Sequence, residues 1–148
     1  MTTYIAGDKH GFKVIEIVKE WLLENEYKFK NLGISNREEN ISLQEMLPKV
    51  AKSVLQDNKN QSFGIVSCGT GIGVEFGINK FSGIRAVLAT DPQIAEWARV
   101  KDNCNVLCLV GWRPNKDNIS SILDKWFSAG YDGSEKRLEM MNEFNKWH

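Results

Sequence analysis

Five short apolar runs, interleaved with stretches of helical periodicity, constrain this chain more than any other feature. The runs cover residues 3–6, 27–32, 63–66, 84–89 and 105–110. Residues 12–26 carry apolar side chains at 14, 15, 17, 18, 21, 22 and 23, and residues 43–56 at 43, 46, 47, 50, 51, 54 and 55. Both are one-sided stripes at the 3.6-residue period. Further helices are expected over 74–79, 91–101, 117–129 and 134–147, with Asp91 as the cap of the second of these and Pro48 as a kink or late start inside 43–56. Run 27–32 alternates at period two and reads as a half-exposed peripheral strand, whereas 105–110 is continuously apolar and therefore buried on both faces. Strand alternating with helix, without linker or internal repeat, predicts one domain over 1–148. Right-handed crossovers make it a doubly wound, Rossmann-like α/β fold: a five-stranded parallel sheet, helices on both faces and a C-terminal helix.

Bulk chemistry narrows the function. Nineteen basic and nineteen acidic side chains cancel, so no charge excess points to nucleic acid or an anionic membrane surface. No apolar run approaches the roughly 18 residues of a membrane span, and the first residues lack a signal-peptide layout; a cytoplasmic protein is expected. Cys68, Cys104 and Cys108 are too few for a disulfide framework, and their spacing is not that of a zinc site. Neither metal nor cofactor is expected. Cys108, inside an apolar strand, reads as a small core residue.

In such sheets ligands bind beyond the carboxyl ends of the strands, where the winding reverses. Two loops there carry unusual residues: Gly7-Asp8-Lys9-His10-Gly11 after the first strand and Ser67-Cys68-Gly69-Thr70-Gly71-Ile72-Gly73 after the third. If those strands are neighbours, both loops face one crevice. Closely spaced glycines let successive N–H groups turn inward as an anion cradle, with a helix N-terminus behind them. A thiol beside that cradle sits in a field that favours thiolate. A base next to an oxyanion cradle suits proton abstraction beside a carbonyl. Two other readings stay open on the loop alone. One is an imperfect dinucleotide fingerprint, with Val74 where a third glycine belongs; the other is a tight turn with a packed cysteine.

The longer strings narrow this. Cys68 to Gly73, then Asn79-Lys80-Phe81-Ser82-Gly83-Ile84-Arg85-Ala86, then Asn105-Val106-Leu107-Cys108-Leu109 resemble the ribose-5-phosphate isomerase B and galactose-6-phosphate isomerase family. Asp8 with Gly11-Phe12, Leu32-Gly33 and Tyr131-Asp132-Gly133 agree in order and spacing, so the resemblance covers nearly the whole chain. It implies a metal-free aldose–ketose isomerase of a phosphorylated sugar, a homodimer or homotetramer with active sites shared between subunits. It implies Cys68 as the base between C1 and C2. The Thr70 hydroxyl and the amides of Gly69, Gly71, Ile72 and Gly73 would hold the enediolate, and Asp8 the sugar hydroxyls.

Departures from the family pattern are equally legible. Lys9 stands where a histidine is usual, as a phosphate ligand or a solvated loop lysine, with His10 beside it as a substrate-side polar residue. Lys101-Asp102 replaces a His-Asn pair given across the interface, where the histidine opens the sugar ring; Lys101 inherits that role or is a helix-terminal cation. Trp112, Glu135 and Glu139 fall where arginines bind the phosphate, with Arg113, Lys136 and Arg137 close by and Arg113 the expected substitute. These changes leave an alternative: a catalytically impaired member acting as a subunit or sugar-phosphate-binding module. Glu75, on the helix after the loop, is a second candidate base or a solvated first-turn acid.

Overall fold

A computed structural model describes residues 1–147. Its strands are β1 (Thr3–Gly7), β2 (Phe29–Asn31), β3 (Phe63–Cys68), β4 (Ala86–Leu88) and β5 (Val106–Val110). Its helices are α1 (Phe12–Glu24), α2 (Leu43–Gln56), α3 (Ile72–Ile78), α4 (Pro92–Asp102), α5 (Lys116–Ser128) and α6 (Glu135–Phe144), with a 3-10 turn at Asn58–Asn60. All strand pairs are parallel, in the order β2-β1-β3-β5-β4. The expected doubly wound sheet is therefore present, with β1 and β3 adjacent.

The order follows from burial. β3 is buried at every position and β5 at all but its last, so both need neighbours on either side. β2 and β4 are short, only partly buried, and form the edges. One apolar cluster joins α1, α4 and α5 to one face, with Trp126 fully buried in it; a second joins α2 and α3 to the other, around Met46, Val50, Val66 and Val74. α1 thus leaves β1 on one face and α3 leaves β3 on the other, which opens the crevice between those strand ends.

Several boundaries differ from expectation for identifiable reasons. α3 starts at Ile72, two residues early, because Gly71 (φ 75°) turns the chain directly into it. β4 loses residues 84 and 85: Ile84 N–H bonds to Phe81 O and Arg85 N–H to the Asn105 side chain, which takes both out of the ladder. Tyr27 leaves the edge strand to stack on Trp21 and Phe127. α2 runs through Pro48, against a late start; its first turn is fixed by Ser42, whose Oγ accepts from Glu45 N–H and donates to the Glu45 carboxylate. Asp91 caps α4 as expected, accepting from Ile94 N–H at 3.0 Å. α6 ends at Phe144 rather than 147. Among the described residues no helix is long and apolar enough to cross a membrane.

Candidate active site

Three loops meet at the carboxyl edge of the sheet. Cys68 closes β3, paired with Val110 of β5, while Gly7 of β1 pairs with Ser67 on the other side. The Ser67 hydroxyl donates to Leu109 O at 2.8 Å and clamps β3 to β5 just beneath the site. Gly111 N–H bonds to Cys68 O (2.8 Å) and Trp112 N–H to Gly69 O (3.0 Å), so the β5 loop lies along the glycine loop. The Trp112 indole covers Gly69 so closely that a Cβ there would stand 2.5 Å from the ring. The same indole meets His10 edge-on, ring centroids 5.8 Å apart.

Within this frame the expected residues separate into two groups. Cys68, Gly69, Thr70, Gly71, Ile72, Gly73, Asp8, Lys9, His10 and Arg113 share the carboxyl edge. The Cys68 thiol is free, 6% exposed, and faces Gly73. Thr70 Oγ1 accepts from Ile72 N–H at 3.1 Å, which leaves the hydroxyl proton available. Asp8 Oδ1 accepts from the N–H groups of His10 and Gly11, both at 2.9 Å, which leaves Oδ2 uncommitted. Lys9 and Arg113 are exposed, and neither forms an ion pair with any described residue.

Lys101 and Asp102 lie elsewhere. α4 descends from the carboxyl edge to the amino edge, where Asn105 O accepts from Gly64 N–H at the far end of β3 from Cys68. The length of β5, at about 3.3 Å per residue, puts these residues on the order of 15 Å from the thiol within one chain. There Lys101 pairs with Asp132 at 3.4 Å and Asp102 with Arg137. The exposed Glu135 and Glu139 belong to α6, whose approach is fixed at the same edge by Asp132 N–H bonding to Val100 O. Glu75 is half-buried in the first turn of α3. The other two thiols are core residues: burial raises Cys108 well above the usual thiol range and lifts Cys104 to about 11.

This arrangement resembles known proteins along its whole length. The family model described as Ribose/Galactose Isomerase matches residues 3–142. The chain belongs to that family. Its enzyme class is accordingly that of an aldose–ketose isomerase. The probable ribose-5-phosphate isomerase B of Mycoplasma genitalium is 31% identical over 146 residues, covering 97% of this chain and 95% of that protein. The crystal structure of the Mycoplasma genitalium ribose-5-phosphate isomerase B with bound ribulose-5-phosphate superposes with a TM-score of 0.89 at 29% identity, over 99% of this chain and 97% of that one. The 4-deoxy-4-sulfo-D-erythrose isomerase of a Clostridium species is 30% identical over 112 residues, 76% of this chain and 69% of that protein.

Sequence reasoning missed what Asn79 and Arg85 do within the quoted family string. The Asn79 side chain bonds both backbone groups of Ala86 (2.8 and 3.0 Å) and pins α3 to β4. Arg85 points away from the crevice, toward the amino edge, where its Nε donates to Asn103 O at 2.8 Å. A side chain that serves backbone groups seven or eighteen residues away leaves no periodic signal.

Proposed function

We propose that this chain interconverts a phosphorylated aldose and its ketose, with ribose 5-phosphate as the lead substrate, by moving one proton between C1 and C2. The reading is carried by family membership together with an unbonded thiol, 6% exposed and packed beside Val66 and Val74, where β3 runs into the glycine loop. The Cys68 thiolate takes the C2 proton of the open-chain aldose. The C2–H electron pair forms the C1–C2 double bond, and the aldehyde oxygen takes the charge of an enediolate. The loop amides and the Thr70 hydroxyl donate to that oxygen; losing one such donor costs about 10²–10³-fold in rate. The thiol then returns the proton to C1, and transfer of the O2 hydroxyl proton to the O1 oxyanion leaves a ketone at C2 and a hydroxyl at C1. Asp8 accepts from sugar hydroxyls through its free Oδ2, and Lys9 and Arg113 supply the cations for the anionic end.

Lys101 and Asp102, too distant to serve their own crevice, reach a second copy's crevice in a homodimer. A second substrate reading has its own support. Trp112, Glu135 and Glu139 replace the cations expected around a phosphate, and a relative acts on a sulfonated tetrose. A substrate with a singly charged anionic group, such as a sulfonate, is repelled less by those carboxylates than a phosphate dianion is.

The test is isomerisation of ribose 5-phosphate, erythrose 4-phosphate and the sulfonated tetrose in deuterated water, followed by NMR at C1 and C2. The native chain incorporates deuterium from at least one of them, and Cys68→Ala binds without exchange. Undiminished turnover by Cys68→Ala refutes the thiol as base. Binding without exchange by the native chain supports a non-catalytic subunit instead.

A further inference from the structure

A cavity lies at the amino edge of the sheet, opposite the glycine loop. It measures about 650 Å³, and its walls include Arg85, Arg99, Gln61, Asn105, Tyr27 and Tyr131. Among the described residues no Asp or Glu lines it, although Arg85 and Arg99 do. Arg99 is only 7% exposed and lies over the Phe63 ring, its guanidinium carbon 4.5 Å from the centroid.

Both guanidiniums are held by neutral acceptors. Arg99 Nη1 donates to Cys104 O, and to the Asn103 side chain at 3.4 Å. Arg85 donates to Asn103 O (2.8 Å) and Gly83 O (3.2 Å). Arg99 Nε is buried without an acceptor, and the Nη2 group of each arginine has none among the described residues. Neither forms an ion pair with a described carboxylate. The neighbouring acids are committed elsewhere: Asp57 accepts from Ser62, Asn60 and Tyr4, and Asp132 pairs with Lys101. The adjacent Cys104 thiol stays protonated at neutral pH because burial lifts it to about 11. Two positive charges, Arg99 buried and Arg85 half-buried, therefore face one cavity without a counter-charge among the described residues, an arrangement that costs free energy unless an anion supplies it.

We propose that this cavity binds a small phosphorylated metabolite, its phosphate dianion neutralising Arg85 and Arg99 together. Planar guanidiniums suit phosphate oxygens. The side chains of Asn58, Gln61 and Asn105 offer donors and acceptors to a hydroxylated body, and Tyr27, Phe127 and Tyr131 supply flat walls. The site lies at the opposite edge of the sheet from this chain's own glycine loop, beside Lys101 and Asp102, and the chemistry of its wall does not depend on the reaction assigned to that loop.

The test uses the full chain, with inorganic phosphate as the probe and ¹H–¹⁵N NMR of the arginine Nε–H groups as the readout. Saturable shifts of the Arg99 and Arg85 resonances are expected, absent with potassium chloride at matched ionic strength. The amides of Gly69 to Gly73 report the catalytic loop separately. Gln61→Glu places a carboxylate on the cavity wall from an exposed position, so folding is preserved. It weakens the arginine-detected isotherm about tenfold and leaves the loop-detected one unchanged. Arginine resonances that stay still while the loop saturates overturn the proposal, as does an arginine isotherm that chloride reproduces or that Gln61→Glu leaves intact.

Discussion

Replacing Gly71 by alanine tests whether the glycine loop owes its shape to its own backbone or to the strand behind it. Gly71 has φ 75°, and an added Cβ would stand 2.6 Å from Leu88 Cδ1 and 3.0 Å from Leu109 O. Leu88 can rotate its methyl away, but Leu109 is a buried residue of the interior strand β5 and its carbonyl cannot retreat. The left-handed backbone alone costs an L-residue about 1–2 kcal/mol. Crowding against fixed backbone adds about 1–2 kcal/mol, the lower part of the overpacking range because Leu88 can move, for a total of about 2–4 kcal/mol. At this chain length that lowers Tm by roughly 6–12 °C. Two other glycines separate the contributions. Gly133 has φ 82° with open space around a Cβ, so Gly133→Ala reports the backbone cost alone. Gly130 has neither a positive φ nor a contact, so Gly130→Ala is near neutral. Urea and thermal unfolding of the three variants should rank them Gly71, Gly133, Gly130 in decreasing loss. Equal losses at Gly71 and Gly133 would refute the role given to β5 in shaping the loop.

Three further outcomes follow from local chemistry. Ser42→Ala removes the cap of α2 and should lower stability by about 1 kcal/mol, seen as a reduced urea midpoint at unchanged slope. Asp57 is held below the usual carboxylate range chiefly by Ser62, so its contribution is present above the unfolded value near 3.9 and lost as pH falls through the lower folded value. Ser62→Ala should therefore lose less stability on acidification than the native chain, measured as Tm against pH. Cys104 shifts the other way: raised to about 11, its protonated form stabilises the fold fully below the unfolded thiol value near 8.5, a contribution lost as pH rises through about 11. Cys104→Ala should flatten that alkaline loss in urea titrations without abolishing it, because Cys108 is raised in the same sense.

Much of the candidate site could be read from the sequence because its parts are local. The thiol, the loop glycines, Asp8 and the cap at Asp91 sit within a few residues of the strand or helix they terminate, and such neighbours betray themselves by spacing. The edge strands were read less well. Residues 84 and 85 look like strand by composition, yet a side chain from Asn105 takes the backbone bond a ladder would need. Lys101 and Asp102 posed a different problem. Their motif position tied them to the reaction, but the descent of α4 puts them at the opposite edge of the sheet from Cys68.

The chain's own residues, read in order, determine that strands and helices alternate, that the sheet is parallel, and that a cysteine and a glycine-rich loop terminate the third strand. Periodicity and turn chemistry act over one or two turns of backbone, so they are written locally. Strand order is different. Only the packed sheet inserts β5 between β3 and β4, brings Trp112 over Gly69, and sets two arginines in one wall far from the thiol. Those contacts arise because the two most apolar strands must both be covered on each side, a requirement met by the whole fold at once.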